Sequence, residues 1–142
     1  MSRIISPGGT PASQRNALRR TIAEVLRRLA AKREIDAEVR DMLAFIVLAL
    51  RGIHTNIDQS ASAWEKRDYY LKADQFRREW AWVPGAAERL HHILRDERWA
   101  DLPLELAQLS PRFSDIRVVQ YTKPASMWEG AFQRLQASPE PR

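Results

Sequence analysis

One apolar repeat constrains the fold more than any other feature of the sequence. Between residues 39 and 57, apolar side chains recur at alternating spacings of four and three: Val39, Leu43, Ile46, Leu50, Ile53 and Ile57. This heptad spacing places all of them on one face of an α-helix. The stretch 39–50 is apolar on its other sides too, at Met42, Phe45, Val47 and Leu48. A helix that is apolar nearly all round is buried, so we expect this stretch at the centre of a helical bundle.

A second amphipathic helix is predicted ahead of the central one, over residues 14–32, with Ser13 as its N-cap. Its apolar stripe consists of Leu18, Ile22, Val25 and Leu29. A short polar connection then leads to Asp36, whose carboxylate suits the N-cap of the central helix. Two apolar stripes joined by a short loop predict a long antiparallel helical hairpin.

The rest of the chain predicts helices that cover this hairpin. The helical pattern continues over residues 60–83 with a change of phase, and a kink at 60–64 and a straight path both fit it. Pro84-Gly85 is expected to stop that helix. Three shorter helices are predicted over residues 86–97, 102–109 and 127–136, the last two capped by Asp101 and Ser126. Residues 116–121 are strand-like but lack a hairpin partner, so they either lie along the bundle or pair with another chain.

These elements predict a single all-α domain over residues 13–136, with a flexible leader at 1–12 and a flexible tail at 137–142. A chain of 142 residues suits one domain. The first residues lack the apolar stretch of a secretion signal, and the longest apolar run, 42–50, is too short to span a membrane. Cysteine is absent, which excludes disulfides, thiolate metal sites and cysteine nucleophiles. We therefore expect a cytoplasmic protein without membrane contact.

No arrangement of residues typical of catalysis or metal binding stands out. Glu88 and His91 have the Glu-x-x-His spacing of di-iron bundles. Such sites need a second Glu-x-x-His unit, and His54 does not supply one because Arg51, not an acid, stands three residues before it. The sequence contains no Gly-x-Ser-x-Gly elbow and no glycine-rich phosphate loop. We predict no catalytic residue, no metal and no cofactor. An enzyme whose site is assembled from His54, His91, Glu88 and neighbouring acids stays open as an alternative.

Positive charge is concentrated at the start of this basic protein, which carries a formal net charge of +5. Residues 1–33 contain eight Lys or Arg side chains and one acid, Glu24, whereas residues 34–110 are net negative. Arginine forks suit phosphates, so the first helix is a candidate nucleic-acid or anion contact. The candidate residues are Arg15, Arg19, Arg20, Arg27 and Arg28. A solvated helix face, or a basic patch against another protein, would have the same composition.

Residues 64–82 interleave aromatic and basic side chains, as a stacking surface for single-stranded nucleic acid would. Acidic residues offset the basic ones, however, and the aromatic residues fall on stripes that a bundle core would use. These apolar stripes lie on two opposed sides of the helix, whereas a helix on the surface of a bundle needs only one apolar side to pack on the core. We therefore take Trp64, Tyr70 and Trp82 as candidate partner-binding aromatics.

The leading functional hypothesis is a non-catalytic helical interaction module, either a homo-oligomer or the small subunit of a larger complex. It rests on the apolar girth of residues 39–50, on the five tryptophans and on the lack of a catalytic arrangement. The first alternative is a nucleic-acid-binding accessory protein that uses the arginine-rich first helix. The second alternative is an enzyme whose site the sequence does not reveal.

Overall fold

The computed structural model describes residues 9–138, and within them the chain is an all-α bundle of six helices. The helices are α1 (Pro11–Ala30), α2 (Ala37–Glu65), α3 (Tyr70–Glu79), α4 (Trp82–Arg95), α5 (Leu102–Leu109) and α6 (Ala131–Ala137). Short 3-10 turns lie at Trp99–Asp101, Ser110–Phe113 and Ala125–Met127. The predicted fold class is confirmed. Residues 1–8 of the predicted leader and 139–142 of the predicted tail lie outside the described residues.

Helix α2 is the centre of the bundle, and α1, α3, α4 and α6 all pack against it. Every residue of its heptad seam is buried, and so is every residue of the apolar stripe predicted for α1. At one end, Arg15 of α1 donates to the side-chain oxygen of Asn56 in α2 at 2.9 Å. At the other end, Lys32 donates to Glu38 at 2.8 Å. The two helices therefore run antiparallel, as the two apolar stripes predict.

The predicted N-cap of α2 is confirmed, whereas the predicted N-cap of α1 is wrong. Asp36 Oδ1 accepts the backbone N–H of Val39 at 2.8 Å. In α1 the cap is Thr10, whose Oγ1 accepts the N–H of Ser13 at 3.1 Å. Pro11 takes the first helical position, where proline's missing N–H costs no hydrogen bond. Residues 11 and 12 thus belong to the helix and not to the leader.

The chain turns after α2 at residues 66–69, just beyond the interval where the sequence left a kink open. Asp68 takes a left-handed φ of 65°. The N–H of Tyr69 reaches back to the carbonyl of Trp64 at 2.9 Å, and the N–H of Asp68 to the carbonyl of Glu65 at 3.0 Å. This pair of bonds is the Schellman ending of a helix. A separate α3 follows, so four short helices cover the hairpin instead of the predicted three.

After α3, one predicted helix boundary and one predicted N-cap are wrong. Pro84-Gly85 does not end a helix, because Pro84 lies in the first turn of α4, where its missing N–H has no intrahelical partner to lose. Helix α5 spans the predicted residues, but Asp101 does not cap it by a side-chain hydrogen bond. The carboxylate of Asp101 pairs instead with Arg98 at 2.9 Å.

The last helix is capped from a distance rather than by the predicted Ser126. Ser126 belongs to a 3-10 turn, and α6 begins after Gly130, which has a φ of 78°. The two carboxylate oxygens of Asp41, on α2, accept the N–H groups of Gly130 at 3.1 Å and Phe132 at 3.0 Å. The start of α6 is therefore set by a side chain about ninety residues earlier in the chain.

We expect Asp41→Ala to lower the free energy of unfolding by about 1–2 kcal/mol, because two N–H groups at the start of α6 lose their acceptor. Urea denaturation followed by circular dichroism measures the change. Asp74→Ala is the matched control: its carboxylate makes an exposed pair with Arg78, worth about 0.5 kcal/mol or less. Equal losses in the two variants would show that Asp41 is not a cap that matters to stability.

Candidate interaction surfaces

Three of the five arginines predicted to contact nucleic acid bind the chain itself. Arg15 donates to Asn56 and lies over the ring of Phe76, 5.0 Å from its centroid. Arg19 makes a two-pronged pair with the carboxylate of Asp115, at 2.7 and 3.1 Å, and also donates to the carbonyl of Arg112. Desolvation lowers the pKa of Arg15 from its ordinary value, which reflects how far its guanidinium is withdrawn from water.

The third internal arginine, Arg28, holds the C-terminal part of the chain. It donates to the carbonyl of Lys123 at 2.9 Å and lies 3.4 Å from the carboxylate of Glu24. Its guanidinium also lies over the rings of Tyr121 and Trp128, 4.2 and 5.1 Å from their centroids. Arg15, Arg19 and Arg28 thus hold parts of this chain together, and their guanidinium groups already have partners.

Four of the aromatic residues predicted to form stripes join Phe113 in one continuous seam. Successive ring centroids lie 4.8, 6.4, 6.3 and 6.0 Å apart along the series Trp64, Phe76, Trp80, Trp82 and Phe113. Cations of the same chain cover several faces: Lys72 lies over the first ring and Arg112 over the fourth. Two predicted partner-binding aromatics, Trp64 and Trp82, are therefore half-buried members of an internal seam that joins α2, α3 and α4.

The third predicted aromatic, Tyr70, is exposed at the end of an arm. α1 covers α2 only as far as Asn56, whose side chain donates to the carbonyl of Pro11, the first residue of α1. The last turns of α2, together with α3, form the arm, and α3 packs mainly on α2. We call residues 66–71 the arm tip. Its consecutive apolar side chains are exposed by 54%, 61% and 72% at Tyr69, Tyr70 and Leu71.

Basic residues surround these side chains. Lys66 and Arg67 are exposed and make no ion pair with any residue of the described range 9–138. Lys72 lies one residue beyond the arm tip, and Asp68 is the acid within it. The arm tip therefore combines large apolar side chains with a net positive charge.

A loop at residues 114–123 crosses the exposed side of α1 and is fastened at both ends. Asp115 pairs with Arg19 at one end. At the other end the buried carboxylate of Glu24 accepts the N–H groups of Thr122 and Lys123, both at 2.8 Å. Burial raises the pKa of Glu24, but these hydrogen bonds and nearby Arg28 outweigh it, so the pKa lies below its ordinary value.

The strand-like run at residues 116–121 lies along the bundle, which is one of the two arrangements the sequence allowed. It pairs with no strand among residues 9–138. Ile116 and Val118 pack against the core, whereas Arg117 and Val119 are exposed, Val119 by 82%. Buried and exposed side chains thus alternate along this segment as they would in a strand, although its inner face packs on a helix.

A cleft remains between this loop and α1. It has a volume of about 650 Å³ and is lined by Arg27, Arg117 and the apolar residues 116, 118 and 119. A neighbouring cleft extends the surface to Arg20. Arg20, Arg27 and Arg117 are exposed and make no ion pair with any residue between 9 and 138. The remaining two predicted arginines therefore meet a third, Arg117, which sequence reasoning did not select.

The histidines do not form a metal site with their neighbours. His54 is exposed, and Glu88 is exposed with its carboxylate 3.8 Å from His92. His91 is buried, with its Nδ1 3.0 Å from the guanidinium of Arg51. Across residues 9–138, no three His, Cys, Asp or Glu side chains are grouped so that they could hold a metal ion.

Sequence reasoning missed Tyr69, Leu71 and Arg117. A signal for the first two was present, because the run Tyr69–Leu71 is apolar on three successive positions, and a helix cannot bury three successive side chains on one face. No local signal marks Arg117, because the arginines that it meets in the cleft, Arg20 and Arg27, lie at least ninety residues earlier in the chain.

None of the described helices has an apolar stretch of the length that a membrane span requires. The chain matches no protein-family model, no curated protein and no solved structure.

Proposed function

We propose that this chain is a non-catalytic interaction module that inserts its arm tip into an apolar pocket of a larger, acidic partner protein. The observation that carries the proposal is the exposure of Tyr69, Tyr70 and Leu71 side by side at the end of the arm. Large apolar side chains exposed together usually mark a contact, and tyrosine is enriched among the residues that dominate binding energy.

Charge and area favour a different protein over a second copy as the partner. Two arm tips placed together would bring the same net positive charge, from Lys66, Arg67 and Asp68, onto both sides of the contact, and like charges oppose association. A stable interface buries about 800 Å² on each side, which three side chains do not supply. The arm tip is therefore the anchor of a larger contact, in a pocket rimmed by acidic residues.

The first basis for self-association, the apolar girth of residues 39–50, is covered by the chain itself. Apart from Leu48, which is partly buried against the core, every apolar residue of this stretch is buried within the bundle. The girth therefore contributes core packing, and it leaves no large apolar face for a second copy. This is a second reason to place the contact at the arm.

The other two functions lose part of their basis. The nucleic-acid alternative now depends on Arg20 and Arg27, because Arg15, Arg19 and Arg28 are engaged within the chain. For the enzyme alternative, residues 9–138 contain no group of three His, Cys, Asp or Glu side chains that could hold a metal ion. Binding through a surface requires neither kind of site.

The proposal is tested by placing a photo-crosslinking amino acid at position 70 of the protein in the cells that naturally produce it. We expect one dominant adduct heavier than two copies of the chain, with Asp or Glu near the crosslinked partner residue. The same probe at Leu104, an isolated side chain on α5 with 67% exposure, is the control and should give no such adduct.

A second change separates a specific contact from chance proximity. Leu71→Ser should remove the adduct at position 70, because burial of that leucine contributes about 1.5–3 kcal/mol to an interface. An adduct with the mass of two copies would contradict the proposal in favour of a homo-oligomer. The proposal would also be contradicted if no adduct formed at position 70, or if the adduct formed equally well in the Leu71→Ser variant.

A further inference from the structure

We infer that the cleft between α1 and the 114–123 loop is a second binding site, which takes a short acidic peptide segment with apolar side chains. This site lies at the other end of α1 from the arm. The arm begins beyond Pro11, and the cleft is centred on Arg27, about 24 Å further along the helix. The inference therefore does not rest on the role of the arm tip.

The cleft carries positive charge that no acidic residue between 9 and 138 neutralises by an ion pair. Arg20 and Arg27 lie two helical turns apart on the same side of α1, and Arg117 faces them from the loop. The two nearby acids are already engaged: Glu24 accepts the N–H groups of the loop, and Asp115 pairs with Arg19. Three guanidinium groups without a carboxylate partner favour an anionic ligand.

The walls of the cleft distinguish a peptide from a nucleic acid. A third cleft adjoins the first at Arg27 and is lined by apolar side chains that include Leu26, Ile116 and Val118. Val119 projects from the loop beside them, almost fully exposed. The phosphates of a nucleic acid make polar contacts and leave such aliphatic walls unused, whereas a peptide that alternates acidic and apolar residues fills both kinds of surface.

The cleft is preformed, because the loop that makes its outer wall is fastened at both ends. Arg19 holds Asp115, and Glu24 with Arg28 holds Thr122 and Lys123. A ligand would therefore not have to bear the entropic cost of ordering the loop. Arg20 and Arg27 are separated by about 10 Å along the helix axis, which three to four residues of an extended peptide span.

Fluorescence anisotropy with a labelled peptide of sequence Glu-Leu-Glu-Leu-Glu, whose acidic side chains share one face of an extended chain, tests the site on the full chain. At about 50 mM salt we expect saturable binding, weakened at least about fivefold at about 200 mM salt by screening. The peptide with Lys in place of every Glu should not bind. A mixed-sequence single-stranded oligonucleotide, labelled in the same way, is the competing probe.

Charge reversal identifies the residues responsible. Arg27→Glu with Arg117→Glu should weaken peptide binding at least about tenfold, because two attractive contacts become repulsive. Arg78→Glu with Arg134→Glu changes the net charge equally outside the cleft and should alter binding less than about twofold. Leu71→Ser, at the arm tip, should leave peptide binding unchanged. The test of the cleft is therefore independent of the test of the arm tip.

Three results would overturn the inference. The first is no saturable binding of the acidic peptide at about 50 mM salt. The second is equal binding by the cleft variant and by its control variant. The third is tighter binding of the oligonucleotide that the cleft variant abolishes, which would assign the cleft to nucleic acid.

Discussion

Replacing Glu24 with alanine should lower the free energy of unfolding by about 3 kcal/mol. The carboxylate is buried and accepts hydrogen bonds from Thr122 N, Thr122 Oγ1 and Lys123 N at 2.8–3.2 Å. Its loss leaves those donors without their acceptor and removes the acidic partner of Arg28, and each such change near a buried charge is costly. Urea denaturation monitored by circular dichroism gives the value.

The control for this variant is Glu34→Ala, which removes an exposed carboxylate from the connection between α1 and α2. We expect it to change the free energy of unfolding by less than about 0.5 kcal/mol. Glu24→Gln should fall between the two, because an amide keeps one acceptor and places an NH₂ group against a backbone donor. A loss below about 1 kcal/mol in Glu24→Ala would show that the 114–123 loop does not depend on this carboxylate.

The same carboxylate makes stability depend on pH in a direction that its pKa fixes. Because the pKa of Glu24 is lower in the folded chain than in the unfolded one, its contribution is complete above the unfolded pKa of about 4.3. That contribution is lost as the pH falls through the lower, folded pKa. The stability difference between the wild type and Glu24→Gln should therefore shrink below about pH 4. A difference that persists unchanged at about pH 2 would contradict this assignment.

Replacing Trp128 with alanine should have a comparable or larger effect, with a loss of about 3–5 kcal/mol. The side chain is only 1% exposed and is the largest fully buried one in the described part of the chain. Its removal leaves a cavity where the last segment of the chain meets the core, and it takes away the ring over which Arg28 lies. Thermal and urea denaturation measure the loss.

Trp99→Ala is the matched control, because Trp99 is half-buried and its ring lies under the guanidinium of Arg40 at 5.4 Å. We expect a loss of about 1–2 kcal/mol there, from partial burial and one cation–π contact. Similar losses at positions 128 and 99 would mean that the last segment is not packed as tightly as its burial indicates.

The arginines of α1 show where sequence reasoning failed and why. Local sequence shows a run of basic side chains with one acid, and such a run is normally assigned to solvent or to an anionic partner. The partners that hold Arg19 and Arg28 are Asp115 and the carbonyl of Lys123, more than ninety residues away in the chain. A contact of that separation leaves no mark in the neighbouring sequence.

The arm shows an intermediate case. The aromatic spacing of residues 64–82 correctly predicts helix, but the sequence contains no glycine at the turn to reveal where α2 ends. Asp68 adopts the left-handed conformation instead, which asparagine and aspartate tolerate better than most side chains. Packing of Trp64 against Phe76, at 4.8 Å, brings α3 back onto α2 and supplies the stabilisation that this turn requires.

The sequence alone determined the all-α class, the antiparallel pairing of α1 with α2 and the residues that fill their interface. It could do so because helical periodicity is a property of neighbouring residues. Six apolar residues at heptad spacing lie on one face of α2, and that face has to be buried. Tertiary structure alone decided which polar and charged groups are internal and which remain available. Glu24, Asp41 and Asn56 each satisfy backbone or side-chain groups far along the chain, and only the packed bundle brings those groups within hydrogen-bond distance.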